Sequence, residues 1–318
     1  MLVNGQWKSK WDPVQSQDNE GRFIRQGSQF RNWITPDGSP GQSGEGGFAA
    51  EPGRYHLYVA LICPWASRTL MVRKLKDLED LISVTVVEPF LTDEGWRFGN
   101  FPGSDIDRIN EADYLHEIYT RVQPDYSGRA TVPVLWDKQR CVIVNNESAD
   151  IVRMLNTAFD GLTGSTLDLY PSDLREDIDA LNERLYSELN NGVYQAGFAC
   201  GQKAYEEAYR RVFAMLDELE ERLGDGRPFL FGDRLTESDI RLFVTLVRFD
   251  LAYFGLFKCN RNLIAQMPRL CKYVARVRSL EGIEDTVNAD HIKTGYYSVK
   301  ALNPQGIVPV GPDVRCQA

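Results

Sequence analysis

The sequence predicts an α/β domain followed by an all-α domain, and three observations carry that prediction. A strand, a helix and a second strand follow one another between residues 55 and 87, the pattern of a βαβ unit. A strand hairpin lies between 131 and 144, and from about residue 170 onward helical patterns recur without a strand pattern. The expected boundaries are 1–50 for an extended N-terminal arm, 51–160 for the α/β domain, and 161–318 for the helical domain with its tail. At 318 residues the chain is long enough for each domain to bury its own core.

The arm is assigned because Gly38, Gly41, Gly44, Gly46 and Gly47, with Pro36 and Pro40, interrupt any periodicity. Tyr55 to Ile62 is nearly continuous in apolar β-formers, as a strand covered on both faces should be. The period then changes: between Ser67 and Leu78 apolar residues fall at 71, 72, 75 and 78 among Arg68, Arg73, Lys74 and Lys76, an amphipathic helix. Ser83 to Val87 reads as the second strand. Residues 89–128 read as an insertion with Trp96 in a glycine-flanked loop and a short helix around Tyr114 to Tyr119. Thr131–Trp136 and Cys141–Val144 form the hairpin, after which Asn146-Glu147-Ser148 leads into a helix through Ile151, Met154 and Leu155. In the helical half the patterns cover Leu174–Leu189, Ala204–Leu223, Thr236–Phe249 and Met267–Leu280. One start is marked by Thr236-x-x-Asp239, a capping box, with Leu235 and Ile240 placed as staple partners.

Composition excludes several classes of function. Hydrophobic residues make up 43% and charged residues 25%, which is globular rather than disordered. A net charge of -9 and a pI near 5.0 argue against a nucleic-acid partner, since no basic cluster is available to meet phosphates. No apolar run approaches the roughly 20 residues needed to span a bilayer, and the polar first residues lack the core of a secretory signal. The expectation is a cytoplasmic protein with no membrane partner. Cys63, Cys141, Cys200, Cys259, Cys271 and Cys316 are dispersed without a CxxC pair, so reduced thiols are expected. Three histidines in no cluster with cysteine give no expectation of a metal site.

Cys63 is the candidate nucleophile. It follows the buried strand and precedes a helix, where unpaired backbone N–H groups and the positive end of the helix dipole favour a thiolate. Such settings lower a thiol pKa from about 8.5 to roughly 3.5–7.5. Pro64 suits the first helical turn, where its missing N–H costs nothing. The other five cysteines lack this setting. Dithiol oxidoreductases with a strand-Cys-x-x-Cys-helix arrangement resolve a mixed disulfide with the second cysteine, but here that position is Ala66. A lone nucleophile needs an external thiol, and glutathione is the candidate. Thr131-Val132-Pro133 fits such a ligand: a proline at a strand start marks an edge or a cis turn that offers the Val132 backbone to the cysteinyl part of the tripeptide. Glu147 and Ser148, at a helix start, can hold the γ-glutamyl ammonium and carboxylate. Read alone, Ser148 is an ordinary N-cap.

These residues resemble the glutathionyl-hydroquinone reductases, the Xi class of glutathione transferases. The resemblance rests on Tyr55-His56-Leu57-Tyr58 running into Cys63-Pro64-Trp65-Ala66, on Tyr126-Ser127-Gly128-Arg129 before Thr131-Val132-Pro133-Val134-Leu135-Trp136-Asp137, and on Asn146-Glu147-Ser148. It extends through Asn190-Asn191-Gly192-Val193-Tyr194, Leu235 to Leu242, Val247-Arg248-Phe249-Asp250 and Asn303-Pro304, and includes Phe30-Arg31-Asn32-Trp33 of the arm. It implies a thioredoxin-like N-terminal domain and an all-α C-terminal domain, which together form the glutathione-transferase-like fold, in a homodimer. It implies glutathione as co-substrate with no bound cofactor, and glutathionylated aromatic small molecules as partners. By the same resemblance Cys63 is the nucleophile, and Trp96, Arg129, Ala130, Thr131, Val132, Pro133, Glu147 and Ser148 form the glutathione site. Tyr194 is implied as proton donor to the leaving aromatic carbon, with Tyr253 and Tyr296 near the thiolate.

From the residues alone those three tyrosines are indistinguishable from the rest of a chain that has 14. The adjacent Tyr296 and Tyr297 leave open which one faces the site, and the stretch from Trp96 to Tyr126 carries the fewest matching motifs. Two other readings stay open. One is a thioltransferase or dehydroascorbate reductase of the omega type; the other is a transferase-fold module without catalysis. A cysteine hydrolase is disfavoured because His56 lies on the strand leading into Cys63 rather than in a base position.

Overall fold

The computed structural model describes residues 1–9, 17–312 and 316. The described chain divides into two compact units, one holding residues 1–9 and 27–167 and the other residues 17–26 and those from 168 on.

The first unit opens on a small hairpin of β1 (Leu2–Val3) and β2 (Gln6–Trp7). Its core element is β3 (Tyr55–Val59), whose five residues are all buried. α1 (Pro64–Leu75) follows, then β4 (Ile82–Val86), the short pair β5 (Leu91–Thr92) and β6 (Gly95–Trp96), and α2 (Leu115–Val122). β7 (Val134–Asp137), β8 (Val142–Asn145), α3 (Ser148–Thr157) and α4 (Asp160–Thr163) complete it. The four-stranded sheet has the order β4-β3-β7-β8, with β3 parallel to β4 and antiparallel to β7. β3 therefore has a strand on each side. Its continuous apolar character follows from burial of both its faces, and trimming Leu57 to alanine in this setting costs about 3 kcal/mol.

The strand is shorter than the sequence predicts. It stops at Val59, and Ala60 to Ile62 form a turn closed by the Cys63 N–H donating to the Ala60 carbonyl at 2.9 Å. The helix begins earlier than predicted because Pro64, with no N–H to satisfy, takes its first position. The first residues of the predicted hairpin, Thr131 to Pro133, lie before β7 rather than inside it. At the end of α1 the buried Lys76 ammonium bonds the Leu167 carbonyl and sits 2.8 Å from the Asp160 carboxylate, tying the segment beyond α4 to this unit.

The second unit is helical. It contains α5 (Arg175–Arg184) continuing into a π-helical stretch Leu185–Asn190, then α6 (Gly192–Gly197) and α7 (Gln202–Arg222). α8 (Glu237–Arg248) runs into a second π-helical stretch, Phe249–Tyr253, before α9 (Pro268–Arg278) and α10 (Ala289–Tyr297). At the start of α8 the buried Asp239 carboxylate accepts the Thr236 N–H at 2.9 Å, the Leu230 N–H at 2.9 Å and the Tyr273 hydroxyl at 3.0 Å. This capping residue thus also anchors α9. Burial outweighs these bonds and pushes its carboxyl up to about 6.

The expectation of uniformly reduced thiols needs correction. Cys271 and Cys316 form a disulfide across a sequence separation of 45 residues, with Cα atoms 5.0 Å apart. The fold of the tail creates that proximity, and spacing in the sequence carries no sign of it. Among the described residues no helix is long and apolar enough to cross a membrane.

Candidate active site

In the first unit Cys63 is the N-cap of α1, in extended conformation with φ -79 and ψ 117. Its carbonyl accepts the Ser67 N–H at 3.0 Å, the first bond of the helix, which sets the residue at the positive end of the helix dipole. The thiol is partly exposed, and Sγ lies 3.6 Å from the Val132 carbonyl oxygen, to which it donates. Val132–Pro133 is a cis peptide. The nucleophile and this turn are therefore in contact, 69 residues apart in sequence. Next along α1, the buried Arg68 guanidinium packs over the Trp65 ring at 4.4 Å.

A residue that sequence reasoning missed holds the turn in place. Tyr119 of α2 is fully buried; its hydroxyl donates to the Thr131 carbonyl at 2.7 Å and accepts from the Thr131 N–H at 3.2 Å. The same oxygen accepts from Asn146 Nδ2 at 3.2 Å, so one phenol braces both the cis-proline turn and the start of α3. A buried tyrosine on a helical pattern gave no sequence signal of this role.

At α3 the N-cap is Glu147, not Ser148. One Glu147 oxygen accepts the Ala149 N–H at 3.2 Å, and the other accepts the Ser28 hydroxyl at 3.0 Å. Ser148 occupies the first helical position and is buried. Arg31 of the arm pairs with Asp150 in the first turn of α3, with Nη2 at 2.9 Å. Arg129 and Ala130 are half-exposed on the approach to the turn. Trp96 lies at the end of the β5–β6 pair opposite Leu91, half-buried. That pair is held by Trp7, whose Nε1 donates to the Asp93 carbonyl at 2.7 Å. Gly95 has φ +81, and a Cβ there would meet the Trp7 ring at 2.8 Å, so glycine is required on both counts.

In the second unit three tyrosines converge. Tyr194 stands on α6, Tyr253 ends the second π-helical stretch and Tyr296 stands on α10. Their hydroxyls form a chain, Tyr194 to Tyr296 at 2.6 Å and Tyr253 to Tyr296 at 2.9 Å. Tyr296, rather than Tyr297, is the member of the adjacent pair that joins them. The Phe257 ring packs against all three, at 5.3, 5.2 and 5.6 Å. A Cβ on Gly197 would come within 2.4 Å of Phe257, so a glycine at that point lets α6 close onto the cluster. Burial raises the Tyr253 and Tyr296 phenols well above their ordinary value, keeping them protonated as donors. Arg25 lies with its guanidinium 4.8 Å from the centre of the Tyr194 ring.

Neither unit gathers a metal-binding cluster: among the described residues no group of three or more His, Cys, Asp or Glu can hold a metal ion. The chemistry on offer is a thiol at a helix N-terminus beside a cis-proline turn, and a chain of phenols able to donate a proton.

Comparison with known proteins supplies the family. Residues 62–158 match the family model for the glutathione S-transferase N-terminal domain, and residues 202–276 that for the C-terminal domain. The chain is 50% identical over 313 residues to glutathionyl-hydroquinone reductase YqjG of Escherichia coli, covering 98% of this chain and 94% of that protein. It is 49% identical over 315 residues to glutathionyl-hydroquinone reductase PcpF of Sphingobium chlorophenolicum, covering 98% and 96%. The glutathione-bound structure of the Escherichia coli protein superposes with a TM-score of 0.92 at 47% identity, covering 100% of this chain and 97% of that one. Glutathione S-transferase Xi of Phanerochaete chrysosporium superposes with a TM-score of 0.89 at 49% identity, covering 93% and 95%. With its cysteine-capped helix on a thioredoxin-like sheet and half its residues shared with these enzymes over nearly their full length, the chain belongs to the glutathionyl-hydroquinone reductases, the Xi class of glutathione S-transferases.

Proposed function

We propose that this protein reduces glutathionyl-hydroquinones to hydroquinones at the expense of glutathione, through a mixed disulfide on Cys63. The observation that carries the proposal is the placement of Cys63 as N-cap of α1, with its sulfur against the Val132 carbonyl. A thiolate there is stabilised by the helix N-terminus, and the turn leaves a strand-like edge for the peptide part of glutathione.

The reaction balances as two exchanges. The Cys63 thiolate attacks the sulfur of the conjugate, an S–S bond forms, and the C–S bond breaks with its electron pair moving to the ring carbon. Tyr194 supplies the proton to that carbon, and free hydroquinone leaves. The thiolate of a second glutathione then attacks the mixed disulfide, regenerating Cys63 and releasing oxidised glutathione. The Val132 backbone would pair with the cysteinyl residue. Glu147 would take the γ-glutamyl ammonium, and the first turn of α3 with Ser148 its carboxylate. Trp96 and Arg129 would flank the tripeptide. Tyr253 and Tyr296, held protonated, are donors that keep Tyr194 aligned. We further propose a cytoplasmic homodimer with glutathione as co-substrate and no resident cofactor.

The test is glutathione-dependent release of hydroquinone from its glutathionyl conjugate, with intact mass measured after exposure to oxidised glutathione. Wild type is expected to turn over and to gain one glutathione adduct, and Cys63→Ser to do neither. Full turnover by Cys63→Ser would sink the mechanism.

A further inference from the structure

We propose that Arg25 is a positioning residue for Tyr194: it fixes the phenol ring and offsets the negative charge left on it when its proton is given up. The proposal rests on the role of Tyr194 as donor to the departing ring carbon.

Two contacts of one side chain carry it. The Arg25 guanidinium carbon lies 4.8 Å from the centre of the Tyr194 ring, and Nε donates to Asn191 Oδ1 at 2.9 Å. Asn191 is the buried residue at the start of α6, three positions before Tyr194. Arg25 therefore grips both the beginning of the helix and the face of the tyrosine it presents. The segment that delivers this cation is itself anchored to the helical unit. Gln17 Nε2 donates to the Phe198 carbonyl at 2.9 Å, the Cys200 N–H donates to the Gly21 carbonyl at 3.2 Å, and Arg22 pairs with Glu207 at 3.1 Å.

The surroundings make such a cation useful. The Tyr194 ring faces Phe198 and Phe257, and its hydroxyl bonds Tyr296. Burial holds Tyr253 and Tyr296 in their protonated form, so they can stabilise a phenolate on Tyr194 by hydrogen bonding but do not themselves carry the charge. A guanidinium over the ring is attracted to the neutral phenol through its quadrupole, and more strongly to the phenolate through charge. The interaction is thus stronger after proton donation than before it, which is the condition for accelerating the step. In balance, the Tyr194 O–H bond breaks, the new C–H bond forms on the hydroquinone ring, and the phenolate regains a proton from solvent before the next turnover.

The experiment compares two substrates that both use Cys63. One is the glutathionyl-hydroquinone, whose leaving carbon must be protonated. The other is the mixed disulfide of glutathione with 2-mercaptoethanol, whose leaving sulfur departs as a thiolate. Arg25→Met is expected to lower kcat on the conjugate about tenfold with KM changed by less than about twofold, and to reduce the disulfide at close to the wild-type rate. Arg25→Lys, which keeps the charge but not the planar fork, is expected to recover to within about threefold of wild type. Adding Arg25→Met to Tyr194→Phe is expected to cost nothing further, because the cation acts through the phenol. Wild-type kcat in Arg25→Met, or equal losses on both substrates, would overturn the proposal. If Tyr194→Phe itself retains full turnover on the conjugate, the donor reading fails instead, so the two failures are told apart.

Discussion

The Ser28 hydroxyl, from the arm, donates to the Glu147 carboxylate at 3.0 Å at the start of α3. The other Glu147 oxygen is engaged by the Ala149 N–H, so the two bonds fix the plane of the carboxylate proposed to meet the glutathione ammonium. Ser28→Ala removes one of them without touching the nucleophile. A hydrogen bond to a charged group is worth about 1.5 kcal/mol at the lower end of its range, which corresponds to an expected rise in glutathione KM of roughly tenfold, with kcat at saturation little changed. Steady-state kinetics at varied glutathione checks this, and an unchanged KM would separate the arm from ligand binding.

Trp7 offers a parallel case at the other end of the proposed glutathione site. It stacks on His116 with ring centres 4.6 Å apart, bonds the Asp93 carbonyl and covers Gly95, next to Trp96. Trp7→Ala is expected to loosen the β5–β6 pair and to raise the KM for glutathione or its conjugate several-fold, while the Cys63 adduct with oxidised glutathione still forms. Gly95→Ala is expected to do the same more severely, since it adds backbone strain to the clash. Quenching of tryptophan fluorescence by glutathione measures both effects.

How much of this was legible in the sequence follows from how local each feature is. The β3–α1–β4 unit was readable because the apolar period switches from a continuous run to helical spacing within a few residues, although Leu61 and Ile62 disguised a turn as strand. Cys63 was readable because its chemistry depends on the helix that begins beside it. The tyrosine cluster was not, except by resemblance: its bonds join residues 102 and 43 positions apart. α6, which carries Tyr194, is a six-residue helix bounded by glycines and too short to show a period, and the π-helical stretch ending at Tyr253 has a spacing that helical templates do not match. The Tyr119 brace and the Cys271–Cys316 bond were hidden for the same reason.

His56, on β3, ties stability to pH. Its ring nitrogens lie 2.7 Å from Ser83 Oγ and 3.0 Å from Thr85 Oγ1, and burial lowers its pKa from 6.5 to about 4. The folded pKa lies below the unfolded one, so between them the unfolded chain binds the extra proton. The contribution is present above about pH 6.5 and is lost as pH falls toward 4, amounting to about 2–3 kcal/mol at pH 4.5. Asp239, raised to about 6, runs in the opposite sense, so the informative quantity is the difference between wild type and a single variant. His56→Gln does not titrate and is expected to lose less stability than wild type between pH 7 and 4.5 in urea unfolding. Identical losses would place the acid sensitivity elsewhere.

The Asp137 carboxylate ends β7 at 0% exposure, and its charge is balanced by Arg54, with Nε at 3.0 Å and Nη2 at 2.5 Å. Its second oxygen accepts the N–H groups of Gln139 at 2.9 Å and Arg140 at 3.2 Å, which closes the turn into β8. Arg54 is also spoken for on its other edges, by the Gly47 carbonyl at 2.9 Å and by Glu51 at 2.9 Å. Breaking such a pair from one side strands the remaining charge out of water, so Arg54→Leu is expected to destabilise the protein by about 3–5 kcal/mol. Asp137→Asn keeps the acceptor that the turn needs while removing the charge. Combining it with Arg54→Leu is therefore expected to restore part of the loss, a coupling that additive sites would not give. Urea midpoints at constant slope measure the cycle, and strict additivity would mean that the guanidinium stabilises the arm through Gly47 and Glu51 rather than by neutralising Asp137.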